Sequence, residues 1–175
     1  MNASTASGIT IAEQDFVLLI FRLSIGITIA AHGWNKIFGG GRIKGTGRWF
    51  QSIGMKPGIF HAWIAALSEI LCGLLLALGF LTSFAAAGII GIMVVAGWTV
   101  HRNNGFFIIK EGWEYVFVLS VAALAIATLG PGDWSIDHTL GISDDLMGWA
   151  GFWIASGLGI GAGLLQLVLF FRPEK

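Results

Sequence analysis

Two sets of side chains in this sequence can do chemistry. Five titratable groups recur toward one end of its apolar segments: His32, His61, His101, Glu111 and Glu114. Two charges, Arg22 and Glu69, lie deep inside such segments. Imidazole and carboxylate brought together can relay protons, hydrogen-bond a quinone carbonyl or bind a divalent metal. No His-x-x-x-His or Glu-x-x-His spacing occurs, so no metal site is assigned. An unpaired charge in hydrocarbon costs at least a few kcal/mol, so Arg22 and Glu69 must each face protein, water or the other. At 1.5 Å of rise per residue, Glu69 stands about 14 Å above the inner end of its segment and Arg22 about 22 Å above that of its own. Helix tilt and the long arginine side chain can close a gap of roughly 8 Å. The expectation is a buried pair, serving either as a plain salt bridge or as the polar wall of a cavity for a head group or proton path.

The elements that must position these groups are membrane helices. A chain with 55% hydrophobic and 11% charged residues and a mean hydropathy of +0.80 has too much apolar surface to hide in a water-soluble domain of this size. Spans of about 20 residues are expected at residues 15–37, 60–81, 84–102, 113–130 and 148–171. Only a tight turn near Thr82 and Ser83 fits between the second and third, making them antiparallel neighbours. Lys36, Arg42, Lys44, Arg48, Lys56, Arg102, Lys110, Arg172 and Lys175 all fall on one side of this arrangement, and Arg22 lies within a span. The positive-inside tendency makes that side cytoplasmic, with the N-terminus outside and the C-terminus inside. Trp34, Trp63, Trp98 and Trp113 fall near the inner boundaries, and Trp134, Trp149 and Trp153 near the outer ones, as amphipathic rings at head-group depth should.

Other features narrow the function. The basic residues follow topology and form no Lys/Arg tract, which argues against a nucleic-acid partner. Cys72 is the only cysteine, so the chain has no disulfide framework of its own and no thiol relay. The first fourteen residues are polar and lack Lys and Arg; they do not resemble the n-region of a cleaved signal, and the first span is read as retained. The glycine-rich connection Phe38–Pro57 has no preceding strand and no Gly-x-x-x-x-Gly-Lys-Ser/Thr pattern, so nucleotide binding is not expected. Its Trp49 and Phe50 beside Arg48 read as an amphipathic segment on the cytoplasmic face, with Lys36, Arg42, Lys44 and Arg48 available to anionic lipid or a partner. Gly157, Gly159, Gly161 and Gly163 form overlapping Gly-x-x-x-Gly pairs in the fifth span. They suit either packing within the chain or a homo-oligomer seam.

An ordered set of short motifs carries a family resemblance: His32-Gly33-x-x-Lys36-x-Phe38-Gly39, Phe50-x-x-x-Gly54-x-x-Pro57, Glu69-x-x-x-Gly73, Asn104-Gly105-Phe106-Phe107, Gly112-x-Glu114-Tyr115 and Gly130-Pro131-Gly132-Asp133-Trp134-Ser135-Ile136-Asp137. Together they resemble the DoxX family of small bacterial membrane proteins. The resemblance implies an all-α integral membrane protein of the bacterial plasma membrane, built as a four-helix transmembrane bundle. A fifth C-terminal transmembrane helix departs from that plan. The expected organisation is a polar tail over 1–14, a DoxX-like domain over 15–137, and an outer loop, fifth helix and short tail over 138–175. The wider DoxX/DoxD group includes a subunit of thiosulfate:quinone oxidoreductase, and actinobacterial members have been linked to a membrane complex for oxidative-stress and thiol defence.

Arg22, His32, Lys36, Glu69 and Glu114 match positions of the family pattern. Side-chain chemistry then assigns Arg22, His32, Glu69, His101 and Glu114 to a cofactor site, with quinone as the cofactor considered and His32 and Glu114 as the proton-exchanging candidates. One expected function is a redox-complex subunit binding quinone between its helices. The others are a non-catalytic anchor recruiting soluble redox enzymes, and a small transporter or lipid-handling protein.

Overall fold

The computed structural model describes residues 10–173. The expected tail over 1–14 therefore lies mostly outside the described residues. α1 (Ile11–Phe38) starts at a capping box, in which the Thr10 side chain accepts from the Glu13 N–H and the Glu13 carboxylate accepts from the Thr10 N–H. Its length, about 42 Å on the helical rise, exceeds a hydrocarbon core of about 30 Å. α2 (Arg42–Ser52) follows a Gly39–Gly41 break, and α3 (Gly58–Leu78) runs back antiparallel to α1.

Small residues set the approach of α1 to α3. A methyl group on Gly26 would collide with the Gly73 carbonyl, and one on Gly33 with the Ala66 carbonyl. Backbones can meet this closely only where side chains are absent.

α3 ends at Gly79 in the left-handed region (φ 64°), and Leu81 (φ 47°) turns the chain into α4 (Thr82–Ala96). The reversal therefore spans Gly79–Leu81, and Thr82 and Ser83 already belong to the next helix. Asp137 explains the shift: its carboxylate accepts from the Leu81 N–H at 2.7 Å and from the Thr82 N–H and hydroxyl at 2.9 and 2.7 Å. A distant residue thus supplies the cap of α4.

α4 is the central helix. Ala85, Ala86, Ile89, Ile90 and Met93 are buried, and an apolar helix surrounded by neighbours needs no polar face. It continues through a π turn, Gly97–His101, and a 3-10 turn, Arg102–Asn104. α5 (Glu114–Leu129) is shorter. Two short helices, α6 (Ile136–Thr139) and α7 (Ser143–Leu146), lie at the end of the bundle opposite α2. α8 (Gly148–Trp153), a π turn over Ile154–Leu158 and α9 (Gly159–Phe170) make the last crossing.

Among the described residues, the segments 11–38, 58–78, 82–104 and 148–170 are long and apolar enough to span a membrane, and 114–129 is a shorter apolar helix. All eight tryptophans are exposed on the bundle surface. An isolated β-bridge joins Met55 and Phe171.

The last helix is part of the bundle and not an appendage. Gly159 packs on the Ala87 carbonyl and Ile90, and Gly163 on Val94 and the Gly91 carbonyl. Its end is tied to the α2–α3 connection by bonds from the Lys56 N–H to the Phe170 carbonyl (3.2 Å) and from the Arg172 N–H to the Gly54 carbonyl (2.7 Å). Gly157 and Gly161 have nothing within 4 Å, so the two Gly-x-x-x-Gly pairs divide between an inward and an open face.

Candidate functional site

The two deep charges do not meet. The contacts of Gly26 with Gly73 and Gly33 with Ala66 fix the register of α1 against α3 and put Glu69 level with Gly33. Arg22 lies level with Ala77 and Gly79, about 12–16 Å further along the bundle. The expected pairing assumed that α1 and α3 end at one depth. α3 instead begins roughly one turn beyond the end of α1, which adds about 6 Å to the separation.

Arg22 is wholly buried at the acidic end. Its guanidinium donates to the Trp134 carbonyl at 2.7 Å and the Ala77 carbonyl at 3.5 Å, and it lies near Asp15 and Asp137. Asp15 accepts from the Asp133 N–H at 2.7 Å. These residues clamp the 130–137 loop onto the helix ends, so Arg22 has a holding role outside the cofactor site expected for it.

The partner of Glu69 is Lys36. Its Nζ donates to both carboxylate oxygens at 2.6 and 2.8 Å, with side-chain exposures of 20% for Lys36 and 8% for Glu69. Lys36, expected at the lipid or partner surface, is turned inward by this bond. The pair lines a cavity of about 630 Å³ bounded by α1, α3, α4 with its π turn, α5 and α9. That volume lies within the range of small-molecule sites.

Around the ion pair, the cavity gathers polar groups from every wall. His32 Nε2 lies 3.2 Å from the Tyr115 hydroxyl. His61 Nδ1 meets the Gln166 amide at 3.1 Å. His101, carried inward by the π turn, holds the Glu111 carbonyl at 2.6 Å. Such π turns change the phase of a helix and redirect its side chains, a device common at functional sites. The remaining lining is largely apolar, including Ile29, Met93 and Val116.

Of the cofactor-site residues expected from sequence, His32, Glu69 and His101 come together, while Arg22 and Glu114 stay outside. The Glu114 carboxylate accepts from the Ile108 N–H at 2.9 Å and folds the preceding loop over the start of α5; its neighbour Tyr115 faces the cavity instead. Arg42, Lys44 and Arg48 are exposed on α2, whose Ile43 and Gly47 face inward. Among the described residues no group of three or more His, Cys, Asp or Glu is arranged to hold a metal ion.

Sequence reasoning missed Tyr115 and Gln166 as lining groups. Both left a signal: Tyr115 is the only tyrosine, and Gln166 is the only polar side chain between Gly159 and Phe171. Cys72 also lines the cavity, its sulfur occupying the space beside Gly88.

A family model described as DoxX matches residues 17–102. The chain is 27% identical over 139 residues to an uncharacterized membrane protein of Mycobacterium tuberculosis, Rv3486, spanning 74% of this chain and 84% of that one. It is 28% identical over 81 residues to an uncharacterized protein of Haemophilus influenzae, spanning 46% of this chain and 54% of that one. No solved structure matches it significantly. The family match runs from residue 17 within α1 to the end of the π turn, and therefore covers the Lys36–Glu69 pair, His32, His61 and His101; Tyr115 and Gln166 lie beyond it.

Proposed function

Because residues 17–102 place this chain in the DoxX family, we propose that it is a membrane subunit of a redox or oxidative-stress complex that binds a quinone head group between its helices. The single observation that carries this reading is the cavity at the basic end, where a buried ion pair and a His–Tyr pair face apolar walls. A quinone is an apolar ring with two carbonyl acceptors, and the residues present suit it. The Lys36 ammonium and the Tyr115 hydroxyl can donate to a carbonyl oxygen, and Glu69 holds Lys36 in place. His32 beside Tyr115 can pass a proton to or from that oxygen. Bound there, a quinone would supply two-electron, two-proton carrier chemistry. The charge distribution supports a plasma-membrane orientation with the cavity end cytoplasmic, since the described basic residues other than Arg22 cluster toward that end.

A second reading has its own support. The exposed Arg42, Lys44 and Arg48 on α2 make a basic face suited to anionic lipid or an acidic patch on a soluble redox enzyme. The open Gly157 and Gly161 give the last helix a smooth face for a second copy. Paired measurements separate the readings. Replacing His32 by Ala and Tyr115 by Phe is expected to lower the quinone recovered with the purified protein while leaving soluble partners attached. Changing Arg42, Lys44 and Arg48 to Gln is expected to do the reverse. Wild-type protein without quinone, combined with partner binding lost on changing α2, would leave the anchor as the function.

A further inference from the structure

The cavity is longer than its polar cluster, and the extra length runs along α4 between α3 and α9. One stripe of each wall faces this crevice: Ile64, Ser68 and Cys72 on α3, and Leu158 at the end of the π turn with Ala162 and Gln166 on α9, over a floor of α4 containing Gly88 and Gly91. Each stripe repeats at helical spacing. From Leu158 to Gln166, and from His61 to Cys72, the crevice extends about 12–16 Å.

The two ends differ in character. The inner end is polar, closed by the His61–Gln166 contact and by Met55, whose backbone pairs with Phe171. The other end is bounded by Phe84 and Leu158, and with Ile64 these are exposed on the apolar flank of the bundle. The glycines of α9 make the shape: Gly159 and Gly163 bring its backbone down onto α4, while Ala162, on the crevice side, is small enough to leave the channel clear.

We propose that this crevice is the tail path of the ligand, so that the cavity takes an isoprenoid quinone whose chain lies between α3 and α9 and which enters sideways from the bilayer. This rests on the quinone reading of the polar cluster and adds the tail as the element that the last helix recognises. Continuity argues for that occupant: one cavity holds both the polar groups and the apolar crevice. A ligand with a polar ring and a long apolar chain fills both parts, whereas a head group alone leaves the crevice unfilled.

The test uses the full chain in lipid nanodiscs and two probes, a tail-free tetramethylbenzoquinone and a quinone of the same ring class carrying several isoprene units. Binding is read by quenching of tryptophan fluorescence, Trp49 being a lining residue. Ala162→Phe plugs the crevice from α9 and Ser68→Phe from α3. Each is expected to lower the ratio of long-tail to tail-free affinity by about tenfold, because a side chain in the tail's place removes close-packed contacts with α3 and α9 that fluid lipid does not replace. Thermal melting of each variant confirms folding.

An unchanged ratio in both folded variants, with wild type binding both probes, overturns the tail path and leaves the quinone reading standing. If wild type binds neither probe, the quinone reading falls and the tail path with it. Loss of copurified phospholipid from the variants with the quinone ratio unchanged would make the crevice a phospholipid site, which also overturns the proposal.

Discussion

The Lys36–Glu69 pair offers the sharpest energetic test. Lys36→Met leaves a carboxylate of 8% exposure with no cation, whereas Glu69→Gln leaves an ammonium of 20% exposure whose four-carbon stem can carry it toward water at the basic end. Stranding one member of a buried pair costs about 3–5 kcal/mol. The full cost is expected for Lys36→Met, and a smaller one, about 1–3 kcal/mol, for Glu69→Gln because lysine can escape. The double change Lys36→Met with Glu69→Gln removes both charges and should recover most of the loss, giving a coupling of about 2 kcal/mol or more. Arg22→Met combined with Glu69→Gln should be additive within about 0.5 kcal/mol, since those side chains have separate partners at separate depths. Equilibrium unfolding in mixed micelles with increasing SDS measures all the variants on one scale. Additive behaviour of Lys36 with Glu69, or strong coupling of Arg22 with Glu69, would refute the register of α1 against α3 and the site built on it.

Asp137→Ala should destabilise the protein by about 2–4 kcal/mol in the same unfolding assay, because it strands the buried N–H and hydroxyl of Thr82 and the half-buried N–H of Leu81 at the start of α4. Gly33→Leu should prevent close packing of α1 on α3 and abolish stable expression, as judged by recovery of monodisperse protein after extraction; Gly161→Ala, with nothing within 4 Å of the new methyl, should change unfolding by less than about 1 kcal/mol. Cysteines placed at Asp144 and Thr46 should react with an impermeant thiol reagent added outside intact cells at the first position only, and the opposite labelling would reverse the orientation.

The crossings, their order and the ends they share were legible because hydropathy and basic charge act over whole segments, where lipid leaves few alternatives. The amphipathic α2 was legible for the same reason. Pairings were less so. Which charge meets Glu69 depends on a register set by Gly26, Gly33 and Gly73, and a displacement of one turn exchanges Arg22 for Lys36. The inward turn of His101 depends on an extra residue in the π turn, which has no mark in a periodicity argument. Glu114 and Tyr115 show the limit most plainly: neighbours in sequence, they face a loop and a cavity respectively, and only the packing of α5 decides between them. Gln166 could have been found, since a lone polar side chain in an apolar helix wants a partner.

The proposed site puts a quinone head group in the basic-end cavity beside Lys36, Glu69 and Tyr115. A photoreactive quinone, activated on the full chain in native membranes and mapped by mass spectrometry, tests it most directly. Adducts are expected on cavity-lining peptides of α1, α3, the π turn and α5, centred on His32, Glu69, His101 and Tyr115, and suppressed by excess unlabelled quinone. Adducts confined to α2 or the 130–147 loop, or labelling that excess quinone does not suppress, would contradict it.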